Sequence, residues 1–440
     1  MCFLHFKLAF RKSGQKFLLM DTFYTNNSET FNKFFAPVYE EIANCKNTRH
    51  CPDLSDSQWI EMGVSRTLME AKSGRGFLQQ YNIMFKNQIE TGHFFETLKS
   101  ERRLKFCQQL NKLLCSKVKK ELKDCLSEFE ELKGFDVYAG DGHWHAAACH
   151  DSIKDEKKWP VGHFYIMDLR NYAIQHLEMA DEVERKHEHD MRALKRQSID
   201  VLRQGAPTGR KVLYVWDSAC LGFDQWDQWK RMGGVYFVTR AKENHIFAVM
   251  ETMDIDLSNP VNEGVLEDEI VMPKGKIRFR RIKCEDPVTG KTHTFITNQL
   301  TLSPGLLCQL YRTRWDLEKV FDQFKNNFNE KQAWANTKTA KTMQANFLCM
   351  THNLILVINK NLEVDFEVYN VAEIKRKKIR LTELVNTASA AGRKVSSYYY
   401  SVQRLTKISL KFIRCLRGFL FIKAPISNLT HYLRRLYAVL

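Results

Sequence analysis

The sequence predicts an α/β fold, with a β-rich insertion and helical regions at both ends. Three observations carry this: short β-rich runs begin at Gly134, two later apolar runs each lead to a polar strand end, and a long amphipathic helix follows Ser303. The chain of 440 residues, 44% of them apolar, is long enough for a large core and for more than one domain.

The first region, 1–132, reads as helical. "SDSQWIEMGVSRTLMEAKSGRGFLQQYNIMF" opens on Ser and Asp, the residues that cap helix starts. A DNA-end-binding domain and a packing bundle are both compatible with it, since no helix-turn-helix pattern stands out. The N-terminal "MCFLHFKLAFRKSGQKFLLM" has basic residues inside its apolar part and no small-residue cleavage site, which argues against a secretory signal; Met20 is an alternative start.

From Gly134 the texture changes. "FDVYAGD", ending at Asp141, "VGHFYIMDL" and "YAIQHLEM" suit three strands in a meander, and a polar helix-like stretch follows over 181–204. "RKVLYVWD" is a continuous apolar run ending at Asp217, as in a buried parallel strand. A helix around Phe223–Met232 leads to the strand "GGVYFVTR", so the order over 133–244 is βββαβαβ. Segment 245–302 reads as a β-rich insertion of short strands, with a hairpin loop at Pro287–Gly290.

Ser303 as cap and Pro304 at the first helical position start a helix that, within 303–345, carries "YRTRWDLEKVFDQFK". At 100° per residue, Tyr311, Arg314, Glu318 and Lys325 fall within a sector of roughly 60°. Leu310, Leu317, Phe321, Phe324 and Phe328 form a separate stripe that would anchor the helix to the sheet. An ordinary surface helix with an i,i+4 Arg314–Glu318 pair has the same pattern. The two strand-end aspartates tilt the reading, because three carboxylates from separate elements suit hard cations such as Mg²⁺, and two such ions can act on a phosphodiester. Arg and Lys beside the acids suit phosphate.

These residues resemble the DDE transposases of the insertion-sequence-four group. Their signature runs Tyr, two residues, Arg, three residues, Glu, six residues, Lys, and here Tyr311, Arg314, Glu318 and Lys325 keep every spacing, after "YAGDGH" and "YVWDSACLGFDQW". "YFVTRAKEN" also looks like the strand after the second aspartate, so the resemblance covers about 134–344. It implies a ribonuclease H-like catalytic core interrupted by the insertion. Asp141, Asp217 and Glu318 would be catalytic and hold the metal, two Mg²⁺ or Mn²⁺ ions; Tyr311, Arg314 and Lys325 would bind DNA near the cut. The implied activity is hydrolysis at element ends and strand transfer into target DNA, by a dimer on DNA, with no small-molecule cofactor, in a bacterial cytoplasm at the nucleoid. A nuclease of the same core that does not transpose, and a non-catalytic DNA-binding descendant, are the alternatives.

Rival acids lie nearby. Asp136 begins the strand that Asp141 ends, Asp151 follows it, Asp224 and Asp227 follow Asp217, and Asp316 and Asp322 sit off the polar sector. "HWHAAACH" offers His143, His145, Cys149 and His150 to zinc, but the spacing fits no common site and a strand-and-turn cluster is the better reading, with His143 near the metals. Trp216, Trp226 and Trp229 suit a core better than base stacking.

Charge points to the partner. Lys and Arg outnumber Asp and Glu by 67 to 51, a net +16, which favours a polyanion over an acidic protein or a neutral metabolite. Region 346–440, helical and strongly basic, holds most of it: from Val371 onward 15 Lys or Arg face only Glu373 and Glu383. "IKRKKIR", the tyrosines at 398–400 and "KISLKFIRCLRGFLFIK" suit phosphate contact, a solvated helical face or a basic membrane-surface helix. Its most apolar run, "FLCMTHNLILVINK", is shorter than the roughly 20 residues that span a bilayer, so no membrane segment is expected. The 12 cysteines contain no CxxC pair, which fits a reducing compartment.

Overall fold

The structure, a computed structural model, describes residues 28–46, 48–51, 53–71, 73–153, 156–181, 188–218, 220–242, 247–273, 277–399, 407–422 and 424–439. The expectations about residues 1–20 lie outside this range, as do the ends of "YFVTRAKEN" and of the tyrosine run.

One nine-stranded sheet organises the chain. Strands β1 (Phe135–His145), β2 (Val161–Asp168) and β3 (Ile174–Met179) form an antiparallel meander, and β1 pairs in parallel with β4 (Lys211–Val215), which pairs in parallel with β5 (Val235–Arg240). The order β3-β2-β1-β4-β5, with β2 running against the rest, is the expected ribonuclease H-like core. The insertion does not build a sheet of its own. Its strands β6 (Ala248–Thr252), β7 (Val265–Met272), β8 (Phe279–Glu285) and β9 (Thr292–Thr297) extend the core sheet because β9 pairs antiparallel with the edge of β5. The turn between β8 and β9 sits at Pro287–Gly290: Asp286 Oδ1 accepts from the Val288 and Thr289 amides, and Gly290 takes the positive φ of 70°.

Alternation along the strands buries both faces of the core sheet. Val137, Ala139, Leu213 and Val215 face one cluster, and Tyr138, Val212 and Tyr214 face the other. The first cluster is the large one. It joins the N-terminal helices α1 (Glu29–Ile42), α2 (Asp56–Leu68), α3 (Gly74–Phe85), α4 (Thr91–Thr97) and α5 (Glu101–Glu121) to the later helical regions. Ser28 and Ser55 cap α1 and α2, accepting from the amides of Phe31 and Gln58. The second cluster is covered by α6 (Asp190–Lys195), α7 (Ile199–Leu202) and α8 (Phe223–Gly233).

After β9 come α9 (Pro304–Thr313), α10 (Trp315–Asn327) and the 29-residue α11 (Lys338–Phe366), which packs on α5, α2 and β3. The core therefore runs on across residue 132, and residue 345 falls inside α11. Next come α12 (Val371–Ala390), α13 (Lys407–Leu420) and α14 (Ile426–Val439). Helix α12, which carries "IKRKKIR", buries only Ala388. Among the described residues no helix is long and apolar enough to cross a membrane.

The helix expected to run unbroken from Ser303 is two helices meeting at Arg314. There the ladder tightens: the Arg314 amide donates to Tyr311 O at 3.2 Å and the Leu317 amide to Arg314 O at 2.9 Å, each three residues back. The apolar stripe survives, with Leu310, Leu317, Phe321, Phe324 and Phe328 all buried. Ser303 stands at the cap position, but its hydroxyl donates to Glu131 Oε1 at 2.6 Å and its amide to Glu131 Oε2, so the side chain ties the helix start to the turn before β1.

Candidate active site

Asp141 lies within β1, which does not end there as the sequence suggests but runs on to His145 because its pairing with β2 continues, and Asp217 stands two residues past the neighbouring parallel strand β4. Parallel pairing of β1 and β4 brings the two acids to one end of the sheet. The stretch "YAGDGH" is shaped by Trp216: a Cβ on Gly140 would lie 1.7 Å from the Trp216 ring, so the indole packs flat on bare backbone one residue before Asp141. Trp216 is fully buried.

The helix junction delivers the third acid. Arg314 Nη1 pairs with Asp141 Oδ2 at 2.6 Å and Nη2 with Glu318 Oε1 at 3.0 Å, so one guanidinium joins β1 to α10. Arg314 is 5% exposed, and its Nε has no hydrogen-bond partner among the described residues. Asp217 accepts from the Ser218 hydroxyl at 2.8 Å, while Thr239 Oγ1 on β5 donates to its backbone carbonyl at 2.7 Å.

Burial and crowding show in the acidities. Burial pushes the Asp141 carboxyl up to about 7, Arg314 opposes this, and Asp190 and Asp217 add to it. Burial also raises Asp190; the Trp216 indole lowers it in part and Asp217 raises it further. For Arg314, burial pulls downward, but Asp141, Tyr311, Glu318 and Asp217 together hold it above its ordinary value. The Tyr311 hydroxyl is raised, chiefly by burial.

A cleft of about 510 Å³ opens at Asp217, lined also by Arg240, Phe295, Tyr311, Arg312 and Arg314 among others. Its walls come from β5, the insertion, α9 and residues 396–399, and three arginines line it, of which Arg312 lies over the Tyr399 ring and 3.6 Å from Asp286. The Arg314 guanidinium lies 5.9 Å from the Tyr311 ring centroid and 5.5 Å from that of Trp315, which is exposed. Lys325 is apart from this group. It is exposed in the last turn of α10, seven residues or roughly 10 Å along the axis from Glu318.

Four of the six rival acids have structural partners, while Asp224 and Asp322 are exposed. Asp136 pairs with Arg210 at 2.6 Å, Asp151 with Lys341 at 2.9 Å, Asp227 with Arg231, and Asp316 with Lys319 at 3.0 Å. In "HWHAAACH", His143 Nε2 meets Glu330 Oε2 at 2.5 Å and its ring stacks on Phe321, His145 stacks on His163, and Cys149 is exposed. Trp226 stacks on Phe237 at 5.4 Å, and Trp226 and Trp229 are both buried, so neither presents a face to a base.

Asp190 was missed by sequence reasoning. Nothing in "HEHDMR" distinguishes it from the charged residues around it, and only the fold of α6 brings its carboxylate to the Trp216 indole, one residue before Asp217.

As placed, no three His, Cys, Asp or Glu side chains among the described residues converge closely enough to hold one ion. The donor chemistry nonetheless fits a hard divalent cation: Asp141, Asp217 and Glu318 offer carboxylate oxygens. Arg314 supplies positive charge to Asp141 and Glu318, so a cation and this guanidinium compete for the same oxygens.

Residues 175–354 match the family model described as "Transposase DDE domain". The match supports a DDE transposase, and it contains Asp217 and Glu318, while Asp141 precedes it. No curated protein matches the chain.

Proposed function

We propose that this chain is a DNA transposase of the DDE type, in which Asp141, Asp217 and Glu318 form the catalytic carboxylate set. The observation that carries the reading is the Arg314 bridge between Asp141 and Glu318, beside Asp217, where the last two acids lie in the stretch similar to transposase DDE domains. The finer likeness, to the insertion-sequence-four group, rests on the spacing of Tyr311, Arg314, Glu318 and Lys325.

The three carboxylates would hold Mg²⁺ or Mn²⁺, which, when bound, supplies activation of the attacking oxygen and stabilisation of the leaving oxygen at the phosphodiester. The protein's own groups do the positioning. Arg240 and Arg312 line the cleft with the fork geometry that grips phosphate oxygens, and Arg314, drawn off the acids, adds a third. Tyr311, raised by burial, keeps its proton at neutral pH and can donate to a phosphate. Lys325, two turns along α10, extends the basic track toward DNA beyond the cleft, and the exposed "IKRKKIR" of α12 adds non-specific phosphate contact.

On this reading the substrates are the element's ends and a target duplex, and two copies of the chain bring two ends together in the bacterial nucleoid. Strand transfer uses the 3′-hydroxyl released by the first cut. The test is cleavage of a DNA fragment carrying the repeat that flanks the coding sequence. Metal-dependent cutting at the end by the wild type, lost with EDTA and with Asp217→Asn, supports the reading. Cutting at random positions indicates a nuclease that does not transpose.

A further inference from the structure

We propose that Tyr399 is a positioning residue for DNA binding, which holds the Arg312 guanidinium in the wall of the cleft ready for a phosphate; the inference rests on the function proposed above. Residues 393–399 follow α12 and lie outside the stretch matched by the family model, which ends at residue 354. They cross the insertion as a strap. Arg393 donates from Nε to Pro287 O at 2.9 Å and from Nη2 to Val288 O at 3.2 Å, which seats the strap on the turn between β8 and β9. Gly290 in that turn makes room, since a Cβ there would stand 2.8 Å from Arg393 Nη1. At the other end the Tyr398 ring packs on Phe129 at 5.1 Å, and Tyr399, only 6% exposed, lines the cleft.

Tyr399 meets Arg312 in two ways. The guanidinium lies over the phenol ring, 3.4 Å from its centroid, and Arg312 Nη2 also donates to the Tyr399 hydroxyl. That hydroxyl donates to Asp286 Oδ2 at 3.4 Å, an oxygen that lies 3.6 Å from Arg312 Nη2, while Asp286 Oδ1 is taken by the turn amides of Val288 and Thr289. Ring, hydroxyl and carboxylate together fix both the plane and the rotation of the fork. An arginine that must be ordered on binding loses rotamer freedom, and one already held loses less, so its phosphate contact is stronger. Stacking occupies the face of a guanidinium and phosphate is gripped at its edge, so the ring does not compete with DNA. The sequence allows the tyrosines at 398–400 a direct phosphate contact; at Tyr399 the effect passes through Arg312.

A double-mutant cycle separates positioning from mere support. The full-length wild type, Arg312→Ala, Tyr399→Leu, Tyr399→Phe and the Arg312→Ala, Tyr399→Leu double variant are titrated by fluorescence anisotropy. The probe is a labelled DNA fragment carrying the repeat that flanks the coding sequence, in EDTA so that no cutting intervenes, and melting temperatures are measured alongside. Arg312→Ala is expected to bind about tenfold more weakly, the loss of one charge-assisted contact, and Tyr399→Leu about threefold more weakly. Tyr399→Phe, which keeps the ring face, should fall between Tyr399→Leu and the wild type, and Tyr399→Leu should add nothing in the Arg312→Ala background. An equal loss in both backgrounds, or wild-type affinity in Tyr399→Leu, overturns the role of Tyr399 and leaves the proposed function standing. Tighter binding by Tyr399→Leu overturns it as well, because the strap would then withhold Arg312 from DNA. Wild-type affinity in Arg312→Ala, or no binding by the wild type, overturns the phosphate role of Arg312 and this inference with it. Should Tyr399→Leu fail to fold, Tyr399→Phe takes its place in the cycle with the same outcomes.

Discussion

Arg314 and Asp141 form a 2.6 Å ion pair that ties the junction of α9 and α10 to β1, the middle strand of the β3-β2-β1-β4-β5 core. Both side chains are largely out of water, at 7% and 17% exposure, so the pair acts where charge is costly and geometry matters. The same guanidinium holds Glu318, and the catalytic proposal follows from this shared hold.

Removing that guanidinium should uncouple metal affinity from activity. Arg314→Ala frees the oxygens of Asp141 and Glu318 and removes a competing positive charge, so Mn²⁺ affinity is expected to rise. End cleavage should nonetheless fall by about 10²-fold or more, the usual loss when one preorganised charge partner of a transition state is deleted. Parallel titration and cleavage assays check this; equal falls in affinity and activity would contradict it.

Acidity at Asp141 gives a pH signature in buffer free of divalent cations. Its carboxyl moves from 3.8 to about 7, so the folded protein keeps a proton that the unfolded chain has lost. Stability from this group is therefore fully present below about pH 4 and is lost as pH rises through 7, to a limit of about 4 kcal/mol. Thermal melts of wild type and Asp141→Asn from pH 4 to 8 should shift in favour of the variant as pH rises. Melting curves that keep a constant separation would show that Asp141 titrates normally.

Gly140 should tolerate no side chain. With the Trp216 ring 1.7 Å from a Cβ, Gly140→Ala forces the indole or β1 to move, an overpacking cost of about 1–3 kcal/mol. A lower melting temperature and reduced cleavage are expected together, because Trp216 and Asp141 are the immediate neighbours of Asp217 and Gly140.

Lys325 should report DNA contact and nothing else. It is exposed, so Lys325→Ala is expected to leave stability unchanged, weaken DNA binding evenly across sequences and reduce the salt slope of log K by about 1. Fluorescence anisotropy at several salt concentrations measures both quantities.

Much of this site was legible because local chemistry specifies it. Apolar runs that end in Asp141 and Asp217, and a Pro304 helix start followed by the Tyr311, Arg314, Glu318 spacing, are written in strand and helix periodicity. What periodicity does not contain is how elements meet. A helical sector fixes angle and not height, so it does not register that Lys325 stands roughly 10 Å along α10 from Glu318, nor that the helix is interrupted by a tight turn at Arg314. The pairing of β9 with β5 is a long-range contact with no local signature. Asp190 is one acid in a charged segment until α6 folds back, and Ser303 is a cap by position whose hydroxyl is taken by Glu131.

The central claim is that Glu318 belongs to a metal-dependent carboxylate set rather than to a surface ion pair with Arg314. The most direct measurement is end cleavage and DNA binding by wild type and Glu318→Gln, each with Mg²⁺ and with EDTA. Metal-dependent cutting by the wild type, none by Glu318→Gln, and the same DNA affinity for both are expected. Equal cutting by the two proteins would contradict it.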